Sequence, residues 1–175
     1  MVDNVNVTGG TVCGTGGGTL NIGGSLCMGG DRFANCAHFT MTTAGCETIS
    51  SSCGGNITNI GNFTKSGGGT VTLAASVTNL SANNIIIDDG TLTLGADNQI
   101  ANTTDIELAG GTLALDTFDE TVNNVTLTAD SIIDFGGGNS TLNINDLDLG
   151  AFTLSIYNWT GTYPYPGGQT DQFFV

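Results

Sequence analysis

Basic residues are almost absent from this chain. Its 175 residues include only two Lys or Arg and one His, against 16 Asp or Glu. A surface with two basic side chains cannot neutralise a run of phosphates, which excludes nucleic-acid binding as a main function. The formal net charge of −14 also disfavours docking on anionic membrane surfaces.

Long apolar runs and proline are also scarce. The chain has two Pro, and its apolar runs span only a few residues, as at 85–87. A membrane-spanning helix needs about 20 apolar residues, so we expect no membrane insertion in this chain. The first ten residues, MVDNVNVTGG, lack the basic region and apolar core of a signal peptide. We therefore expect any export signal to lie outside this sequence.

What the chain does contain is typical of short strands joined by tight turns. It has 28 Gly, is rich in Thr, Asn and Ser, and is 39% hydrophobic, enough apolar content for a folded core. The charge is uneven: residues 1–87 carry three acids and both basic residues, Arg32 and Lys65, while residues 88–175 carry thirteen acids and no base.

A short sequence motif, here called the repeat phrase, recurs at a fixed interval. GGGTVTL, DDGTLTLG and AGGTLALD align on Thr70, Thr91 and Thr112, which are 21 residues apart. A second apolar alternation follows each of them, at 85–87, 106–108 and 125–127. The phrase is predicted to restart at 141–144, and a similar form stands upstream at 18–22. Two strands per 21 residues indicate one turn of a solenoid, not a hairpin meander.

The fold prediction is an all-β parallel β-helix, or β-solenoid, with about 21 residues per turn. Leu92 and Leu94 should stack inside between the equivalent residues of the turns before and after, while Thr91 and Thr93 face outward. Gly-Gly and Asp-Gly steps are predicted to supply positive φ at the corners. The pairs at 83–84 and 123–124, both Asn-Asn, are expected to do the same.

Residues 62–100 resemble the autotransporter-associated β-strand repeat. Its opening is matched by Phe63, Lys65, Gly67, Gly69, Thr70, Val71 and Leu73, and its close by Gly90, Thr91, Leu92, Leu94 and Gly95. The middle, SVTNLSANN, departs from the family pattern. The stretch up to about residue 160 is similar to tails that follow such repeats. The resemblance implies a right-handed parallel β-helix in an exported bacterial protein, and it implies a scaffold rather than an activity.

Residues 1–62 fit the repeat less well than residues 63–175. We predict Gly-rich N-terminal rungs with an irregular, disulfide-tied excursion or cap, followed by the regular repeats and the C-terminal end. An odd number of cysteines leaves one free or bridging to another molecule, and the sequence does not fix the pairing. The disulfide candidates are Cys13, Cys27, Cys36, Cys46 and Cys53.

Alternative chemistries find little support in the sequence. Cys36 and His38 with two later cysteines could form a Cys3His zinc site, but no C-x-x-C knuckle is present, so we predict no metal. Paired carboxylates such as those at 119–120 and 146–148 could serve a glycosidase, but they stand mostly at turns, where solvated acids are expected. We predict no catalysis and no cofactor.

The expected function is structural and extracellular: a subunit of a self-assembling surface filament, stalk or matrix, or an adhesin stem. Its partners would be copies of itself, through end-to-end or strand-donating contacts. The assembly candidates are the apolar C-terminal residues Phe173, Phe174 and Val175. The alternative is a carbohydrate-binding or carbohydrate-cleaving β-helix that engages surface glycans. A passenger fragment that engages a host receptor is a third class.

Overall fold

The structure is a computed structural model that describes residues 5–7, 19–28, 32–34, 38–51, 55–161 and 171–175. Every regular element within these ranges is a β-strand. The strands are β1 (Val5–Val7), β2 (Thr19–Ile22), β3 (Leu26–Met28), β4 (Arg32–Ala34), β5 (His38–Thr42), β6 (Cys46–Ser51), β7 (Gly55–Ser66), β8 (Thr70–Leu73), β9 (Val77–Ile87), β10 (Thr91–Thr93), β11 (Asp105–Leu108), β12 (Thr112–Ala114), β13 (Glu120–Leu127), β14 (Ser131–Asp134), β15 (Thr141–Asp148), β16 (Leu154–Tyr157) and β17 (Gln172–Phe174).

These strands form two parallel sheets that the chain visits in turn. Sheet B has eight strands in the order β1-β3-β6-β8-β10-β12-β14-β16. Sheet A has nine strands. Eight follow the order β17-β15-β13-β11-β9-β7-β5-β2, and the ninth, β4, pairs with β7 beside this path. Each turn therefore lays one strand on each sheet, and the turns stack as a β-solenoid of about 22 residues per turn. The predicted fold class is confirmed.

The stacking follows the predicted register. Leu92 pairs with Val71 of the preceding turn and Leu113 of the following turn. Leu92 and Leu94 are fully buried, and Thr91 and Thr93 lie half-buried on the outer face. The second alternation stacks likewise, since Ile106 on β11 pairs with β9 and β13 on sheet A. Alternating residues thus fill an apolar interior between the sheets, where each buried aliphatic side chain contributes about 1.5–3 kcal/mol.

One predicted placement was wrong. The strand beside Thr112 is β14, through Ile132, and not the expected restart at 141–144, which begins β15 on the other sheet. The similar upstream motif, for which no sheet was predicted, contributes β2 to sheet A. The Gly-Thr-Leu motif marks a strand that follows a corner of the solenoid. Corners precede strands of both sheets, so the motif alone does not tell which sheet the strand joins.

The asparagine pairs were also misassigned. Residues 83–84 lie within β9 and residues 123–124 within β13, and neither pair has the predicted positive φ. Each pair instead interrupts the in-out alternation of its strand, because both of its side chains lie outside the core. Positive φ does occur at Gly90 (68°) and Gly110 (121°), as the Asp-Gly and Gly-Gly steps predicted. Another corner uses Asn98 at a φ of 51°. Asn tolerates the left-handed region, but it also fits the outer face of a sheet, and the sequence does not distinguish the two uses.

The division at residue 62 stays a prediction. Strand β7 runs across that position and pairs with both β5 and β9, so the sheet is continuous there. Within residues 1–62, the stretches 1–4, 8–18, 29–31, 35–37 and 52–54 lie outside the described residues.

Candidate functional site at the C-terminal end of the solenoid

The last turn leaves a strand edge on each sheet. Strand β16 is the terminal strand of sheet B, and β17 is the terminal strand of sheet A at the same end. Among the strands that the structure describes, each has a hydrogen-bonded neighbour on one side only, β14 and β15 respectively. An edge strand presents backbone donors and acceptors to which another chain can add a strand.

Exposed apolar side chains are concentrated at this end. Within the described ranges, every large hydrophobic residue that is strongly exposed lies between residues 149 and 175. These residues, here called the terminal apolar patch, are Leu149, Phe152, Tyr157, Trp159, Phe174 and Val175. In the other described turns the large apolar side chains are buried or partly buried, so this end differs from them in its exposed apolar surface.

The three predicted assembly residues differ in their placement. Phe173 is half-buried and packs edge-on against Phe135, with ring centroids 6.3 Å apart and an interplanar angle of 89°. Phe174 and Val175 are 43% and 67% exposed. Phe173 thus packs against the core of the last turn, whereas Phe174 and Val175 are exposed.

A buried carboxylate that sequence reasoning missed holds this end together. Asp171 is 2% exposed, and it accepts hydrogen bonds from the backbone N–H of Ser140 and from the N–H and hydroxyl of Thr160, at 2.7–2.9 Å. Its backbone carbonyl accepts a 3.2 Å hydrogen bond from Trp159 Nε1. This network anchors the indole of Trp159, which remains 44% exposed, to the last strand of sheet A.

The cysteines are only partly described. Cys46 carries a free, exposed thiol on the outer face of sheet B, beside Thr70. Cys27 lies on β3 between Asn6 and Ser50. The other three candidates, Cys13, Cys36 and Cys53, lie outside the described residues, and the predicted disulfides stay a prediction.

Lys65, a motif residue of the repeat, is fully buried at a corner. Its ammonium donates to the carbonyls of Ser66 (3.1 Å) and Gly67 in its own turn and to that of Asp89 (2.9 Å) in the next. Burial lowers the pKa of Lys65, and the nearby carboxylates of Asp89 and Asp88 oppose that shift. The side chain therefore ties two successive corners together.

Glu120 contradicts the expectation that the paired acids are solvated. It is 1% exposed, and its carboxylate accepts hydrogen bonds from Ile100 N–H (3.0 Å) and Thr121 N–H (2.9 Å). Burial raises its pKa from 4.5 to about 7; hydrogen bonds from Ile100, Thr121 and Gln99 oppose the shift, and Asp97 adds to it. The sequence could have indicated this burial, because Glu120 alternates with Val122 and both therefore lie on the inner side of β13.

The raised pKa of Glu120 predicts that the free energy of unfolding falls as the pH rises. Below about 4.5 both states are protonated, and between 4.5 and about 7 the folded state holds a proton that the unfolded state has lost. We expect this group to remove about 3 kcal/mol of stability between pH 4.5 and pH 8. Urea unfolding at several pH values checks it.

The matched variant for this measurement is Glu120→Gln, which cannot ionise. It loses one acceptor, so it is expected to be less stable at acidic pH, but its stability should depend less steeply on pH than that of the parent. The other acidic groups remain in both proteins, so the difference in slope isolates Glu120. Equal slopes would contradict the assignment.

Neither a metal site nor a membrane helix emerges from the described ranges. No group of three or more His, Cys, Asp and Glu residues there is placed to hold a metal ion. No helix in that part of the chain has the length and apolar character needed to cross a membrane.

The fold defines the chain as a parallel β-solenoid protein. Comparison with protein-family models, with curated proteins and with solved structures finds no match to this chain. Its function must therefore be argued from its own surfaces.

Proposed function

We propose that this chain is a structural extracellular protein that stacks end to end with copies of itself into a surface filament, stalk or matrix, or an adhesin stem. The observation that carries the proposal is the terminal apolar patch, which lies beside the open edges of β16 and β17. A solenoid turn buries its apolar side chains only against neighbouring turns. A second copy stacked on this end would act as its next turn.

The sheet geometry favours a head-to-tail arrangement. The strand pairs of both sheets within the described ranges are parallel, so a next copy continues the pattern only if its strands run the same way. The complementary edges are β1 on sheet B and β2 on sheet A, at the opposite end of the described strands. Such an interface joins two different surfaces and does not close, and it therefore generates filaments.

The charge distribution favours the same arrangement. Residues 88–175 carry thirteen acids without a base, whereas residues 1–87 carry three acids and two basic residues. Pairing two C-terminal ends would bring the two strongly acidic halves together. Head-to-tail stacking instead places an acidic half against a nearly neutral one, and added salt should screen the remaining repulsion.

The export and cell-surface parts of the proposal rest on the sequence. The repeat that resembles autotransporter-associated β-strands, at residues 62–100, includes the strands β8, β9 and β10. In an oxidising compartment the free thiol of Cys46 is available for a disulfide.

Negative-stain electron microscopy of the purified chain tests the proposal. We expect unbranched filaments whose number increases between about 10 mM and about 150 mM salt, over which the screening length falls from about 30 Å to about 8 Å. Reducing agent should leave the filaments intact, because the proposed contacts are strand pairing and apolar burial. Dispersed monomers at every salt concentration, under both oxidising and reducing conditions, would contradict it.

A further inference from the structure

A polar groove lies on the outer face of sheet A, away from the terminal apolar patch. Its volume is about 280 Å³, close to the lower end of the range of about 300–1,000 Å³ typical of small-molecule sites. Its lining residues come from three successive turns of the solenoid, at β9, β11 and β13. Three strands at the usual spacing span about 10 Å. Its polar lining residues are Asn84, Asp105, Glu107, Asn124, Thr126 and Thr128.

The groove presents mainly hydrogen-bond acceptors. Asp105 Oδ1 accepts from Asn123 Nδ2 at 2.8 Å, and Glu107 accepts from Thr128 Oγ1 at 3.0 Å and from Asn84 Nδ2 at 3.3 Å. A carboxylate has about four lone-pair sites, so both carboxylates keep acceptor capacity. No basic side chain lines the groove.

One acceptor in the groove lining is unsatisfied. The side-chain oxygen of Asn84 is buried and has no hydrogen-bond partner, while the amide nitrogen of the same residue is held by Glu107. A buried acceptor without a donor costs about 1–3 kcal/mol. A ligand that donates a hydrogen bond to this oxygen would recover that cost, and the amide must turn its oxygen toward the groove to accept it.

We infer that this groove is a binding site for a neutral glycan, with neighbouring hydroxyl groups of the sugar donating to Asp105, Glu107 and the oxygen of Asn84. The amide of Asn124 and the hydroxyl of Thr126 supply further polar contacts at the next turn. Uronate-containing or phosphorylated glycans are disfavoured, because residues 88–175 carry thirteen acids and no base to neutralise them. This inference does not depend on end-to-end assembly.

Nuclear magnetic resonance titration of the ¹⁵N-labelled full chain tests the inference. The probes are the neutral disaccharides cellobiose, maltose, mannobiose and N,N′-diacetylchitobiose, with digalacturonate and calcium chloride as separate arms. We expect at least one neutral disaccharide to shift the side-chain amide signals of Asn84 and Asn124, with a Kd of about 1 mM. Digalacturonate and calcium chloride should leave these signals in place.

Isosteric variants provide the control. Asp105→Asn and Glu107→Gln keep the shape of the groove but remove acceptors, so each should weaken sugar binding at least about tenfold. Asp116→Asn removes the same charge from an exposed corner outside the groove and should bind as the parent does. The inference is overturned if no neutral disaccharide binds at about 20 mM, if both groove variants bind normally, or if calcium or digalacturonate produces the same shifts.

Discussion

Replacing Phe174 with aspartate is expected to weaken filament formation strongly. The side chain is 43% exposed in the terminal apolar patch, beside the open edge of sheet A, where a following copy would bury it. Completing the burial of a phenylalanine contributes on the order of 1 kcal/mol, and a carboxylate in its place would have to be desolvated. The critical concentration for assembly should rise at least about tenfold, measured by sedimentation and microscopy.

The matched control for Phe174→Asp is Asn83→Asp. Asn83 is exposed on β9, on the side of the solenoid, so the variant adds one negative charge at a position remote from the end. It should assemble as the parent does. Asn83→Asp should keep the unfolding midpoint of the parent, because it replaces an exposed side chain. Phe174→Asp should lower the midpoint slightly, because the phenylalanine side chain is partly covered in the folded chain. If Phe174→Asp still forms filaments at the parental concentration, the terminal apolar patch is not the interface.

Replacing Gly90 with alanine is expected to destabilise the solenoid by at least about 3 kcal/mol. The residue makes the corner before β10 with a φ of 68°. A Cβ there would lie 2.2 Å from the carbonyl oxygen of Gly69, 2.5 Å from that of Gly67 and 2.7 Å from Lys65 Nζ. Two of these contacts are backbone atoms of the preceding turn, so the corners would have to separate. Urea unfolding measures the loss.

Gly68→Ala is the control for Gly90→Ala. Gly68 lies in the preceding corner and is exposed, and a Cβ there would meet only Asp89 Oδ2, at 3.8 Å. Its φ lies outside the left-handed region that penalises side chains. We expect the unfolding midpoint to stay within error or rise slightly, because alanine restricts the unfolded chain. Equal losses in the two variants would contradict the close corner packing.

The repeating part of the fold was predictable because period and pattern agree there. The 21-residue spacing of Thr70, Thr91 and Thr112 fixed the register of sheet B, and alternation fixed which side chains point inward. The prediction failed where the spacing changes. Ile132 takes the position beside Thr112 although it is not part of a Gly-Thr-Leu motif, since any β-branched or aliphatic residue can occupy that position in the next strand.

The polar features depend on three-dimensional neighbours that the sequence does not display. Glu120 and Asp171 look like solvated acids in the sequence, yet both are buried because backbone N–H groups of neighbouring segments point at them. The groove on sheet A combines residues of three turns, and it follows from the exact pairing of Asn84 with Asp105. Phe174 and Val175 of the terminal apolar patch were named from the sequence as assembly candidates together with Phe173, and that role stays a prediction; Leu149 and Phe152 were not named.

Diffraction from aligned filaments tests the central claim most directly. Head-to-tail stacking of solenoids predicts a strong meridional reflection near 4.8 Å, from strands perpendicular to the filament axis. It also predicts a subunit repeat of about 38 Å along that axis, from the eight strands of sheet B at that spacing. Filaments that lack the subunit repeat, or a meridional pattern without the 4.8 Å reflection, would contradict end-to-end stacking of folded solenoids.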